Sequence, residues 1–195
     1  SRMRQTAGRR SAVSRSELPR AALRAAGTWA GGTALPAECR ELVALVERSA
    51  PTLATNNAIY RDQDRVIRHD HEMTHDLFTR LAGHLPATMG ALRLEGLNSM
   101  LRLYRYVQGQ RFPPHMDHWY RPDDTRITLH TVLVYFNDDF EGGETRFVER
   151  LEQTVRPKPG RAVIFQHKLR HEGCPVIRGT KYALRTDTVY AQRAA

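Results

Sequence analysis

Across residues 36–50 the apolar residues Cys39, Leu42, Val43 and Val46 recur at i, i+3, i+4 and i+7, the spacing of one face of an α-helix. Pro36 suits a first helical turn and Pro51 a stop. Asp70 reads as the N-cap of a second helix that carries Met73, Leu77, Phe78, Leu81 and Leu85 and ends before Pro86. After Gly96 the texture changes to short runs rich in β-branched and aromatic residues, separated by Gly, Pro and Asp. These predict strands near 101–107, 112–117, 126–136, 145–148, 153–156, 162–166, 171–176 and 181–190, with turns at Gly142-Gly143 and Pro159-Gly160. The expected fold class is α+β: a double-stranded β-helix, or jelly roll, of about eight strands over 98–195, with N-terminal helices over 33–97 supporting it.

Length and charge refine this picture. A chain of 195 residues is one ordinary domain, large enough to bury a core without metal or disulfide staples, so a metal here would serve chemistry. The formal charge of +9 raises nucleic acid as a partner, but its distribution argues against one. Residues 1–24 hold seven arginines and one acid (Glu17), leaving 23 basic against 20 acidic residues in the remainder. Residues 1–32 are poor in large apolar groups and are expected to form a flexible basic tail; a solvated tail, an interaction arm and a targeting-type segment all fit the composition. Two cysteines, Cys39 and Cys174, point to a reducing compartment, although a single bridge stays open. No apolar run approaches the ~18 residues of a membrane span, and no signal-peptide pattern is visible, so a cytoplasmic protein is expected. Oligomeric state leaves no trace in the sequence.

The strongest chemical constellation is His115-Met116-Asp117 with the distant His171. In a strand, residues i and i+2 share a face, so His115 and Asp117 can both enter a barrel mouth while a histidine on a facing strand completes a three-ligand cap. Two imidazoles and one carboxylate suit Fe(II) and leave positions open for a cosubstrate and oxygen. Alone, an H-x-D tripeptide in a chain with nine histidines fits a solvated turn equally well. Two decoys compete. His71-Glu72-Met73-Thr74-His75 is a literal H-E-x-x-H, but the metzincin continuation is missing, with Phe78 and Leu81 in its place, and the core stripe of the helix leaves both histidines toward solvent. A zinc site from His167, His171 and Cys174 lacks a shared helix and a second thiolate.

Three longer stretches carry more weight: YRYVQGQRFPPHMD from Tyr104, LVYFNDDFEGGETRF, and PKPGRAVIFQHKLRHEGCPVIRGTKYALRTDTVY ending at Tyr190. In order and spacing they resemble the catalytic domain of the prolyl 4-hydroxylase branch of the iron(II)- and 2-oxoglutarate-dependent dioxygenases. The helical half resembles the family's N-terminal support more loosely, at 62–66 and in Gly96-Leu97-Asn98. The resemblance implies that 33–195 is one dioxygenase domain in which His115, Asp117 and His171 are the iron ligands. It places Lys181 where the family pairs a basic residue with the distal carboxylate of 2-oxoglutarate. Only three of the 30 basic residues are lysine, so Lys181 is not the chain's default cation, yet Arg185 shares its strand parity and rivals it through a bidentate fork. Tyr106 and Tyr135 align with tyrosines that contact the cosubstrate, and barrel-core aromatics are the alternative reading. Gly142 and Gly143 form a turn whatever the function, and their bareness also lets a substrate backbone approach.

The activity implied is hydroxylation of an unactivated C–H bond with Fe(II), 2-oxoglutarate and O2, with ascorbate as an optional reductant. A carboxylate at 117, where a halogenase would carry a small residue, favours hydroxylation. Prolyl or another residue in a peptide or protein is the expected target, with a free amino acid or small metabolite as the alternative. Residues 119–126 (WYRPDDTR) are the expected seat of selectivity, as a lid. A noncatalytic jelly-roll binding module with a basic interaction tail is the rival from another class.

Overall fold

The computed structural model describes residues 29–32, 36–53, 62–148 and 153–192. The chain begins with strand β1 (Trp29–Gly32), helix α1 (Pro36–Arg48), and strands β2 (Thr52–Leu53) and β3 (Asp64–His69). Helix α2 (His71–Leu81) runs into a 3-10 turn, Ala82–His84, before β4 (Thr88–Met89) and β5 (Leu92–Leu97). There follow β6 (Met100–Tyr106), β7 (Phe112–His115), β8 (Arg126–Tyr135), β9 (Glu141–Gly142) and β10 (Thr145–Phe147). The last are β11 (Thr154–Val155), β12 (Arg161–Gln166), β13 (His171–Gly173), β14 (Val176–Arg178) and β15 (Lys181–Gln192).

One sheet runs β1-β12-β8-β15-β6-β3-β2, with β5 also on β15 and β4 on β5; a second runs β11-β10-β13-β7; β14 and β9 pair alone. The eight expected strands are β6, β7, β8, β10, β11, β12, β13 and β15, four at the centre of the first sheet and four forming the second. That is the jelly roll. Alternation decides which side chains go where. Tyr135, Val163 and Ala183 of the large sheet meet Phe147 and Val155 of the small one in a core between the sheets. Their neighbours Val134, Ile164 and Leu184 point the other way and pack with Cys39, Val46 and Leu81 under the helices. Covered on both faces, β8 ends in a continuous apolar run, Val132–Tyr135, rather than alternating throughout.

Helix α2 begins where Asp70 accepts a hydrogen bond from the Met73 amide, satisfying one of the helix's orphan donors. Both cysteines are free thiols, and no described helix is long and apolar enough to cross a membrane.

Two expectations are corrected. The 33–97 segment is not helical support alone, because β3 extends the large sheet beyond β6 and β5 pairs along β15. The charged text of β3 hides a strand held by backbone pairing and by Arg105, which clamps Asp64 across the ladder at 2.7 Å. The flexible tail was expected to reach residue 32. Residues 1–28 lie outside the described residues, but the last four are β1, laid antiparallel on Arg161–Ile164. Backbone pairing at a sheet edge demands no apolar side chain, which is why composition misses it.

Candidate functional site

Strands β7 and β13 pair so that His115 lies directly opposite His171. Opposed residues of an antiparallel ladder share a face, and the two imidazole centroids are 4.3 Å apart. Phe112 stacks on His115 at 3.6 Å, and Phe165 meets His171 edge-on at 4.5 Å. Each ring is also oriented by the backbone two residues before it: Nδ1 of His115 donates to the Pro113 carbonyl at 2.8 Å, and Nδ1 of His171 to the Leu169 carbonyl at 2.9 Å. A carbonyl can only accept, so both protons sit on Nδ1 and both Nε2 lone pairs stay available.

Those Nε2 atoms converge on one carboxylate. Asp117 Oδ1 is 3.7 Å from His115 and Oδ2 is 3.8 Å from His171. One ligand atom from each of the three residues lies within 4.8 Å of the others, the single such cluster of potential ligands among the described residues. The route to this geometry differs from the sequence argument, since β7 ends at His115 and Asp117 lies beyond the ladder. Its amide is tied instead to the carbonyl of His167 at 3.0 Å, which turns the carboxylate back under the histidines.

The protonation states also suit a metal. Burial alone would raise the Asp117 pKa, but the neighbouring His115 and the charge of Arg185 hold it far below the usual carboxylate range. Burial brings His171 down to about 4 despite the pull of Asp117, leaving a neutral imidazole at pH 7. Two imidazoles, His171 neutral, and an ionised carboxylate are a donor set that Fe(II) takes.

Lys181 opens β15 and faces the same cavity, which is also lined by Tyr106, Phe112, His115, His171 and Arg185. It is 3% exposed, and its ammonium donates to the Gly143 carbonyl at 2.6 Å. The rings of Tyr106 and Tyr135 flank it at 5.0 and 5.4 Å. Among the described residues it has no carboxylate partner within ion-pair distance, and burial brings its pKa down to about 8. A buried cation answered only by a carbonyl and two ring faces is costly unless an anion joins it, so the cavity fits one end of a dicarboxylate. Tyr135 does not line the cavity; its hydroxyl donates to Thr145 at 2.6 Å while its ring backs the ammonium.

Arg185, the rival anchor, is engaged elsewhere: Nη1 meets Asp117 at 2.6 Å and Nη2 meets Asp187 at 3.1 Å. Thr131 donates to the other oxygen of Asp117, and Arg102 meets Asp187 at 3.1 Å. Sequence reasoning missed Thr131, Asp187 and Arg102; the strand parity shared by Arg185 and Asp187 was the available signal for one of them.

The EGGET glycines do not close a hairpin, because Glu141-Gly142 pair with β14. Gly143 has φ +68, and a Cβ there would lie 2.8 Å from the Phe140 ring and 3.1 Å from Lys181 Cδ. Gly143→Ala is therefore expected to cost about 1–2 kcal/mol of stability and to weaken 2-oxoglutarate binding by displacing Lys181. A urea midpoint and a titration with the keto acid read the two effects separately.

The competing sites do not assemble. His71, Glu72 and His75 are all exposed on α2, and neither they nor His167 and Cys174 join a ligand cluster among the described residues. A larger cavity of about 470 Å³ lies between α1 and α2, on the other face of the sheet, floored by Val134, Phe136 and Leu184. It holds no such cluster, so donor chemistry rather than size picks the site. In the 119–126 loop, Tyr120 exchanges hydrogen bonds with Thr128, and Trp119 and Tyr120 are exposed.

Comparison with known proteins adds an independent line. Residues 101–186 match the 2OG-Fe(II) oxygenase superfamily. Probable prolyl 4-hydroxylase 8 of Arabidopsis thaliana is 31% identical over 113 residues, covering 43% of this chain and 39% of that relative. The chain thus aligns with about two fifths of the length of the curated relatives it matches first, 39% for each. The viral collagen prolyl hydroxylase of Paramecium Bursaria Chlorella virus-1, solved with 2-oxoglutarate, superposes with a TM-score of 0.61 at 23% identity, over 82% of this chain and 93% of that one. A prolyl hydroxylase from Trichoplax adhaerens, solved with a hypoxia inducible factor peptide, gives 0.62 at 18%, over 85% and 84%. The jelly roll, the clustered histidines and carboxylate and these likenesses agree: the strand-rich part of this chain is similar to 2OG-Fe(II) oxygenase domains of the prolyl 4-hydroxylase type.

Proposed function

We propose that this domain is an Fe(II)- and 2-oxoglutarate-dependent hydroxylase that acts on prolyl, or another residue, in a peptide or protein. The observation that carries this reading is the adjacency of two units: the cluster of His115, Asp117 and His171, whose two histidines line the cavity, and the buried Lys181, which lines the same cavity without a carboxylate at ion-pair distance among the described residues. When bound, iron(II) and 2-oxoglutarate supply the oxidative chemistry, in which one atom of O2 goes to succinate with loss of CO2 and the other enters a C–H bond of the substrate.

The residues contribute orientation and dryness. Carbonyls 113 and 169 fix the two imidazoles, and Arg185 and Thr131 fix the carboxylate between them. Lys181 sets the direction of the cosubstrate by taking its distal carboxylate, with the ring of Tyr106 against the ammonium. Phe112 and Phe165 pack against the ligand imidazoles and keep water from that side of the site.

A peptide or protein target draws support from two sources. The proteins this chain resembles are named as prolyl hydroxylases, and one of them was solved with a peptide. Beside the site, Met116, Trp119 and Tyr120 are 53%, 62% and 55% exposed, an apolar group that suits contact with a chain longer than a metabolite. The noncatalytic alternative is not favoured, since a binding module has no use for three converging metal ligands. The test incubates the full chain with Fe(II), 2-oxoglutarate, ascorbate and proline-containing peptides beside free amino acids, read by mass spectrometry. A gain of one oxygen on peptides is expected; gain only on free amino acids would overturn the substrate class.

A further inference from the structure

The larger cavity, about 470 Å³ between α1 and α2, takes part in no step of the proposed chemistry. It is apolar inside and acidic at its rim. Leu42 and Leu45 of α1 and Met73 and Leu77 of α2 form its walls and are only half-buried, above the floor of sheet residues. Five carboxylates line it against two guanidiniums, so a chain of charge +9 carries a net −3 at this one place. Glu38 is engaged with Arg80 at 2.8 Å and Asp70 with Arg68 at 2.9 Å. Glu41, Glu72 and Asp76 are exposed and make no ion pair among the described residues.

An apolar groove with an acidic rim fits a short cationic, amphipathic segment. The chain carries one just ahead of β1. Residues 19–26 (PRAALRAA) are strong helix formers behind a proline suited to a first turn, with Gly27 suited to a stop. At helical spacing Arg20 and Arg24 share one face, and Ala22, Leu23 and Ala26 form an apolar face beside it. Eight helical residues span about 12 Å, and the groove follows α1 from Glu38 to Arg48, about 15 Å.

Ladder register brings the two together. Trp29, the first residue of β1, shares a row with Ile164, Val132 and Thr186, and Gly31 shares the next same-face row with Ala162, Val134 and Leu184. The floor residues Val134 and Leu184 thus lie two and three strands from β1, about 10 and 14 Å away. So short a tether holds the segment at an effective concentration in the millimolar range, and modest contacts are enough.

We propose that residues 19–26 of this chain dock in the groove as a third helix, with Leu23 on the apolar floor and Arg20 and Arg24 on the carboxylates of Glu41, Glu72 and Asp76. The basic segment is then a cover for the helical face of the domain, on the side of the sheet away from the metal ligands.

Hydrogen exchange of the full chain, read by mass spectrometry, tests this. Amides 21–28 are expected to exchange at least about tenfold more slowly than in the free peptide 12–28. Glu41→Arg with Glu72→Arg, both at exposed positions, should bring them within about threefold of the peptide rate, and adding Arg20→Glu with Arg24→Glu should recover much of the protection. Leu23→Asp, which alters no described residue, should also strip the protection, so the test stands even if a groove variant folds poorly. Metal affinity should stay unchanged throughout. Unprotected amides in the unaltered chain, or protection indifferent to both the groove and the Leu23 substitutions, overturn the proposal. Protection that appears only at concentrations where sedimentation shows a dimer gives the groove to a second copy's segment and overturns the intramolecular docking.

Discussion

Asp117→Asn is expected to lower Fe(II) affinity by at least about a hundredfold and to abolish 2-oxoglutarate turnover, while the protein stays folded. The carboxylate is the anion between the two imidazoles and sits within 4 Å of both Nε2 atoms. Asparagine keeps the shape but removes the charge, and it leaves Arg185 facing the metal position without its 2.6 Å partner. A divalent ion then meets two imidazoles and a guanidinium that has lost one of its two carboxylate partners, so the loss exceeds that of one ligand. Arg185 keeps Asp187, which is why folding survives. Titration of Mn(II) or Co(II), followed with the thermal midpoint, separates the two effects. Metal affinity within about tenfold of the unaltered protein would remove Asp117 from the ligand set.

Lys181→Ala is expected to raise the 2-oxoglutarate requirement by about two orders of magnitude, the scale of a buried charge pair, with little change in metal affinity. Its pH dependence carries a sign. Burial takes the Lys181 pKa from 10.5 to about 8. Below pH 8 the folded and unfolded chains both hold the proton, and the ligand-free protein bears the full cost of burying it, on the order of 3 kcal/mol. Between pH 8 and 10.5 the folded chain has released the proton and the unfolded chain has not, so ligand-free stability rises with pH across that window. Cosubstrate affinity moves the opposite way, because the anion needs the ammonium: it should be flat below pH 8 and fall up to about tenfold per unit above it. Titrations from pH 6.5 to 9.5 check this. In Lys181→Ala the fall should vanish, and a fall that persists would assign it to another group.

Much of this site was readable before any coordinates. The short β-rich runs along residues 101–190, bounded by Gly, Pro and Asp, marked the eight jelly-roll strands. The resemblance placed His115, Asp117, His171 and Lys181; in the fold His115, His171 and Lys181 line one cavity, and Asp117 clusters with the two histidines. What the sequence concealed depends on backbone pairing or on distant neighbours. β1 and β3 are held by ladder bonds that need no apolar pattern. Asp117 reaches the histidines through an amide bond to the His167 carbonyl, not through strand parity. Gly143 also serves as the acceptor for Lys181, which no sequence pattern announces. Arg185 looked like a free cation because one partner, Asp117, is far away in sequence, although the other, Asp187, lies two residues on in β15.

The central claim is that one cavity holds Fe(II) and 2-oxoglutarate together. Its most direct measurement is the visible spectrum of the full chain with Fe(II) and 2-oxoglutarate in the absence of oxygen. A weak charge-transfer band is predicted, lost in His115→Ala, followed on admission of O2 by slow succinate release even without substrate. Well-folded protein that gives neither the band nor succinate would contradict the account.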